Sequence, residues 1–132
     1  VYGHDAPFAA TTDLAALPAA AAARIEGDAD SALLGRRASS AGDINGDGLD
    51  DFVLGQSVDS PTAPTRSLVM FGAADGLPAV TRSDQVDGKN GFTLTPPAGS
   101  GFSRPHVSGA GDFNGDGYDD VLVSALPATV DG

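Results

Sequence analysis

Two short windows carry most of the chemistry that this sequence can offer. Residues 41–55 read AGDINGDGLDDFVLG and residues 110–124 read AGDFNGDGYDDVLVS. Counted from the first aspartate, positions 1, 3, 5, 7 and 9 are Asp43, Asn45, Asp47, Leu49 and Asp51 in the first window. In the second window they are Asp112, Asn114, Asp116, Tyr118 and Asp120. Alternate residues of a tightly curled loop can turn inward together, and these would present oxygen. Ca²⁺ is a hard cation that takes six or more oxygens at about 2.3–2.6 Å. At position 7 such a loop needs only the backbone carbonyl, so the side chain is free to be Leu49 or Tyr118. Gly48 and Gly117 stand at position 6, where the chain must turn through a conformation costly for other residues. Gly46 and Gly115 ease the same bend. Mg²⁺ fits less well because it keeps its waters, and zinc would need His or Cys. The expected cofactor is therefore Ca²⁺, at two sites. A metal-free Asp/Asn/Gly turn is the alternative. Identical ligand types at identical spacing in two copies weigh against it, as does the repulsion among three bare carboxylates. Asp50 and Asp119, at position 8, are expected to be solvated or to sit behind the ligands.

The residues after each window decide which kind of loop this is. A helix–loop–helix calcium motif needs Glu at position 12 and a following helix. Position 12 is Leu54 in one window and Val123 in the other, and the runs that lead to them are short and β-rich. The apolar runs are expected to be inner strands of a sheet.

Composition agrees. The chain has 132 residues, 41% of them apolar, with 18 Gly and 9 Pro. That pattern suits many short strands and turns. The net charge of −11 excludes a nucleic-acid partner, since little here would neutralise phosphates. Of the 18 acids, eight lie in the two windows, where a cation could use them. With no cysteine there is neither a disulfide framework nor a thiolate metal site. No apolar run approaches the roughly 18 residues needed to span a bilayer. No signal peptide is visible, and Val1 in place of an initiator Met points to a leader, or more, removed upstream.

The windows belong to a longer repeat. Asp112 lies 69 positions after Asp43, and the same offset aligns the whole chain without a gap. Each unit reads as a four-stranded antiparallel meander. In the complete copy an extended stretch runs around Arg37 to Ala41, followed by strands at Phe52–Gly55, Ser67–Phe71 and Phe92–Thr95. A turn-rich segment occupies Ser57–Pro64 and a tight turn Gly72–Gly76. The helix-prone stretch Asp13–Arg24, interrupted by Pro18, is expected to be a loop or a single helical turn. Residues 1–32 are the end of a first repeat, 33–101 a complete one and 102–132 the start of the next. The expected fold is all-β: β-propeller blades, about two blade equivalents in a permuted frame of half blade, full blade and half blade. In this frame the chain opens on a third strand at Val1–Gly3. Half-sheets need partners, so further repeats or other copies of the chain are expected to complete the propeller.

Residues 42–55, GDINGDGLDDFVLG, resemble the FG-GAP repeat of integrin α-subunit propellers and their bacterial relatives. LVMFGAADGLP at 68–78 and DGKNGF at 87–92 resemble the bacterial versions. The family's Phe-Gly pair before the loop is Leu34-Gly35 in one copy and Ser103-Arg104 in the other. The Gly-Ala-Pro end is Gly55-Gln56-Ser57 and then Ser124 to Pro127. The resemblance implies a propeller of typically seven blades, calcium in loops on one face, and a secreted, extracellular or cell-surface setting.

No catalytic constellation stands out. His4 and His106 fall in different segments, Ser100 and Ser103 lack a nucleophile-elbow pattern, and Arg36 and Arg37 are expected to counter nearby acids. Phe52, Phe71, Phe92, Phe113 and Tyr118 read as core or loop-packing residues. The chain is therefore expected to be no enzyme. It reads as a calcium-binding module with a structural, adhesion or protein-interaction role, and its partner would be an extracellular protein or glycan. A lectin-like propeller or an accessory domain of a secreted hydrolase are the alternatives. The lectin would need exposed aromatics in pockets between blades, and Trp is missing.

Overall fold

The computed structural model describes residues 1–7, 9–28, 32–58, 65–97 and 102–127, and the structural statements below concern these. Eight strands follow one another: β1 (Arg24–Glu26), β2 (Ala32–Gly42), β3 (Asp51–Val58), β4 (Arg66–Met70), β5 (Val80–Arg82), β6 (Gly91–Leu94), β7 (Phe102–Gly111) and β8 (Asp120–Pro127). Helix is confined, among the described residues, to the 3-10 turns Leu14–Ala16 and Ser83–Gln85. The first answers the helix-prone stretch. Asp13 caps it by accepting the Ala15 N–H at 2.9 Å, and Pro18 lies just beyond.

The expected meander is present. Strands β2, β3, β4 and β6 form one antiparallel sheet in that order. Val53 sits opposite Val69, which sits opposite Phe92, so these share one face. Leu54 and Leu68 share the other. Val53, Leu68, Val69 and Met70 are all fully buried. Burial on both faces is why β3 and β4 are written as continuous apolar runs rather than alternating ones. Of the turn-rich segment, residues 59–64 lie outside the described residues.

β7 and β8 repeat the β2–β3 hairpin and form their own antiparallel pair. Both hairpins carry register shifts at the same places. One falls between Leu34 and Arg37 and again between Ser103 and His106, the other just before Gly42 and Gly111. Gly42 and Gly111 have φ of 68° and 65°, the left-handed geometry such bulges require. At the other bulge the counterpart of Gly35 is Arg104, a non-glycine residue at φ 53°. The β7–β8 hairpin lies against the first sheet. Val107 and Val121 pack with Ile44, Phe71, Phe92 and Leu94 around Ala41, Val53 and Val69.

Three expectations need correction. Val1–Gly3 forms no strand. Its repeat counterpart, Met70–Gly72, overlaps β4 only at its last residue, and Tyr2 is held otherwise, its N–H on the Ala21 carbonyl and its hydroxyl accepting the Leu77 N–H at 2.8 Å. The polar connection after β4 contains a short strand, β5, which pairs with β1 in parallel rather than antiparallel fashion. Phe113 is no packing residue: it is 87% exposed, although its counterpart Ile44 packs on the core.

Candidate functional site

Each acidic window forms the connection of a long hairpin, β2 to β3 and β7 to β8. The bends are built alike. The Asp43 carboxylate accepts the N–H groups of Gly46, Asp47 and Gly48 at 2.7, 3.1 and 2.8 Å. The Asp112 carboxylate accepts those of Gly115, Asp116 and Gly117 at 2.7, 3.0 and 2.9 Å. Asn45 Oδ1 accepts the Asp47 N–H, and Asp47 Oδ1 the Leu49 N–H. Asn114 and Asp116 do the same for Asp116 and Tyr118. Asn45 and Asn114 each donate through Nδ2 to the carboxylate two residues on. The glycines make this curl possible, with φ of 77° and 84° at Gly46 and Gly48 and of 76° and 92° at Gly115 and Gly117.

The first three side chains of each expected set are thus linked by hydrogen bonds, at the surface. Position 9 is different. Asp51 is 2% exposed, and both of its oxygens are engaged, Oδ2 by the Ile44 N–H at 2.9 Å and Oδ1 by the Gly72 N–H at 2.7 Å. It ties the bend to the end of β4, a role its spacing does not reveal. Asp120 makes the matching bond to the Phe113 N–H. Leu49 and Tyr118 follow the curl, and the Tyr118 ring lies on the other loop. A Cβ at Gly46 would come 2.5 Å from Tyr118 Cε1. The position-7 side chain is therefore engaged in that copy rather than free. Among the described residues, three or more carboxylates or imidazoles do not gather into a metal cluster.

The donor set nevertheless suits a hard cation. A carboxylate has about four lone-pair directions, so Asp43, Asp47, Asp112 and Asp116 keep acceptor capacity beyond these bonds. The carbonyls of Asn45 and Asn114 keep some too. These oxygens are what Ca²⁺ takes, and a nitrogen- or sulfur-seeking metal would find no ligand among them.

The position-8 residues were expected to be alike, and they are not. Asp119 Oδ2 accepts the Asp43 N–H at 2.8 Å, and the Asp119 N–H donates to the Asp43 carbonyl at 3.1 Å. Asp50 is exposed. The doublets Asp50-Asp51 and Asp119-Asp120 are identical in sequence, and only the order of the units distinguishes them.

A separate cleft of about 230 Å³ opens between the first sheet and the second hairpin. Leu94, Pro96, Pro105 and Val123 line it with Arg66 and Ser67, and none of its described lining residues is aromatic. Among the described residues no helix is long and apolar enough to cross a membrane.

Residues 105–132 match the family model of the FG-GAP repeat, a stretch that includes the second acidic loop. No curated protein and no solved structure matches the chain.

Proposed function

We propose that this chain is a non-catalytic, calcium-binding part of an extracellular β-propeller, in which each acidic hairpin bend takes one Ca²⁺. The observation that carries the reading is the duplicated loop. Two bends 69 residues apart share the same hydrogen bonds around Asp43 and Asp112, with the same acceptor capacity left on their carboxylates. The FG-GAP match over 105–132 supports the propeller setting, and with it a structural, adhesion or protein-interaction role outside the cell. Asp43, Asn45 and Asp47 would hold one ion, and Asp112, Asn114 and Asp116 the other. Leu49 and Tyr118 would add backbone carbonyls, and Asp51 and Asp120 would close each set. The ion would neutralise carboxylates that otherwise repel across the bend. None of the described residues lining the inter-unit cleft is aromatic, so the cleft adds no support to the glycan reading.

Extracellular calcium modules bind at about 10⁻⁴–10⁻³ M. Free ion at ten times the dissociation constant stabilises a fold by about 1.4 kcal/mol per site. Thermal melts with and without millimolar Ca²⁺ are expected to separate by several degrees. Asp43→Ala with Asp112→Ala is expected to abolish that separation. A wild-type melt indifferent to both calcium and chelator sinks the reading.

A further inference from the structure

We propose that Asp119 is a positioning residue for the first loop, reaching across from the second unit, and that it raises the cation affinity of that loop. The inference rests on the calcium reading above. Its ground is the clasp between the units. Asp43 is the first residue of its loop, and its main chain is held on both sides by Asp119: the N–H by the carboxylate at 2.8 Å, the carbonyl by the Asp119 N–H at 3.1 Å. Gly42 makes room for this, since a Cβ there would fall 2.0 Å from Asp119 Oδ2. The neighbouring Tyr118 ring lies on Gly46 of the same loop. Two consecutive residues of the second loop are thus laid on the first, one at its entry and one at its bend.

The first loop is thus fixed from the neighbouring unit. A loop already ordered loses less freedom when it closes on an ion, so the clasp strengthens the first site. Groups that orient metal ligands from behind typically change affinity by about 10- to 100-fold.

A site-resolved titration tests this. The amide signals of Gly48 and Gly117, whose N–H groups sit on Asp43 and Asp112, report the two loops separately by NMR. Asp119→Ala is expected to raise the Ca²⁺ needed for half-saturation of Gly48 about tenfold and to leave that of Gly117 in place. Asp119→Asn, which keeps an acceptor oxygen, is expected to behave nearly as wild type. Asp50→Ala, the same change within the first loop, is expected to leave both sites alone. In chelator, the Asp43 amide should exchange slowly with solvent in wild type and Asp119→Asn, and rapidly in Asp119→Ala. If Asp119→Ala weakens only the second loop, or both equally, or leaves Asp43 exchange unchanged, the proposal is overturned. If neither glycine responds to calcium in wild type, the calcium reading falls and the affinity effect of Asp119 with it. The Asp43 exchange rates still decide whether the clasp exists.

Discussion

Asp28 gathers three segments through one carboxylate. Arg66 Nη2 stands 2.6 Å from Asp28 Oδ2, and Gln56 and Ser83 donate to Oδ1 at 3.1 and 3.2 Å. Arg66 also donates to Gln56 Oε1 through Nε, so β3, β4 and the 3-10 turn after β5 are joined to the chain leaving β1. The Arg66 hydrogen bond is the main reason, and the Gln56 bond the next, that the Asp28 carboxyl is held down to about 2. A depressed folded value means that the ionised form favours the fold. This stabilisation is complete above the ordinary value of 3.8 and is lost as pH falls toward about 2. Asp28→Asn is expected to flatten the acid limb of a melting-temperature profile in that window. Both side chains keep about a quarter of their exposure, so solvent screens the pair and Asp28→Ala is expected to cost about 1 kcal/mol. An unchanged acid limb in Asp28→Asn would contradict this account. No spacing rule could have found the network, because 28 residues separate Asp28 from Gln56.

At the scale of elements, the repeat places equivalent strands in unequal surroundings. Val53 on β3 and Leu122 on β8 are counterparts at the 69-residue offset. Val53 is fully buried, held between Val69 of its own sheet and the second hairpin, whereas Leu122 is 62% exposed. Val53→Ala is therefore expected to cost about 2 kcal/mol or more in chemical denaturation, from lost burial and the cavity left behind. Leu122→Ala is expected to fall within about 0.5 kcal/mol of wild type. Equal costs would mean that something covers β8 in solution. The strands themselves were legible, since apolar runs bounded by Gly, Pro and Asp fixed β3, β4 and β6 to within a residue or two at their starts. β5 was not legible. Three residues with no apolar pattern become a strand only because β1 lies beside them, as the Arg24 N–H on the Ala79 carbonyl shows.

For the whole molecule, the question is what covers the exposed face of β7 and β8. The observed joint depends on close backbone approach. A Cβ at Gly109 would stand 2.5 Å from the Ser40 carbonyl oxygen, and one at Gly55 would stand 2.9 Å from that of Pro105. The repeat counterparts of these glycines are Ser40 and Ser124. If a second copy docked its first unit onto β7–β8 in the same pose, the Ser40 Cβ would run into the Gly109 carbonyl. A unit laid on β7–β8 in that pose would need glycine where this chain has Ser40. Light scattering on the isolated chain is expected to give a monomer, and a concentration-dependent oligomer would show that the joint tolerates serine.

The sequence by itself determined the local matters. Glycines at fixed offsets from an aspartate dictate the curl of each bend, because φ and hydrogen-bond reach are properties of a few consecutive residues. The apolar runs dictate strands for the same reason. Only the tertiary structure decided which of two identical Asp doublets becomes a clasp, which of two equivalent strands is buried, and which carboxylate is drawn into an ion-pair network. Those outcomes depend on which unit lies on which side, and a repeat looks the same from within every copy of itself.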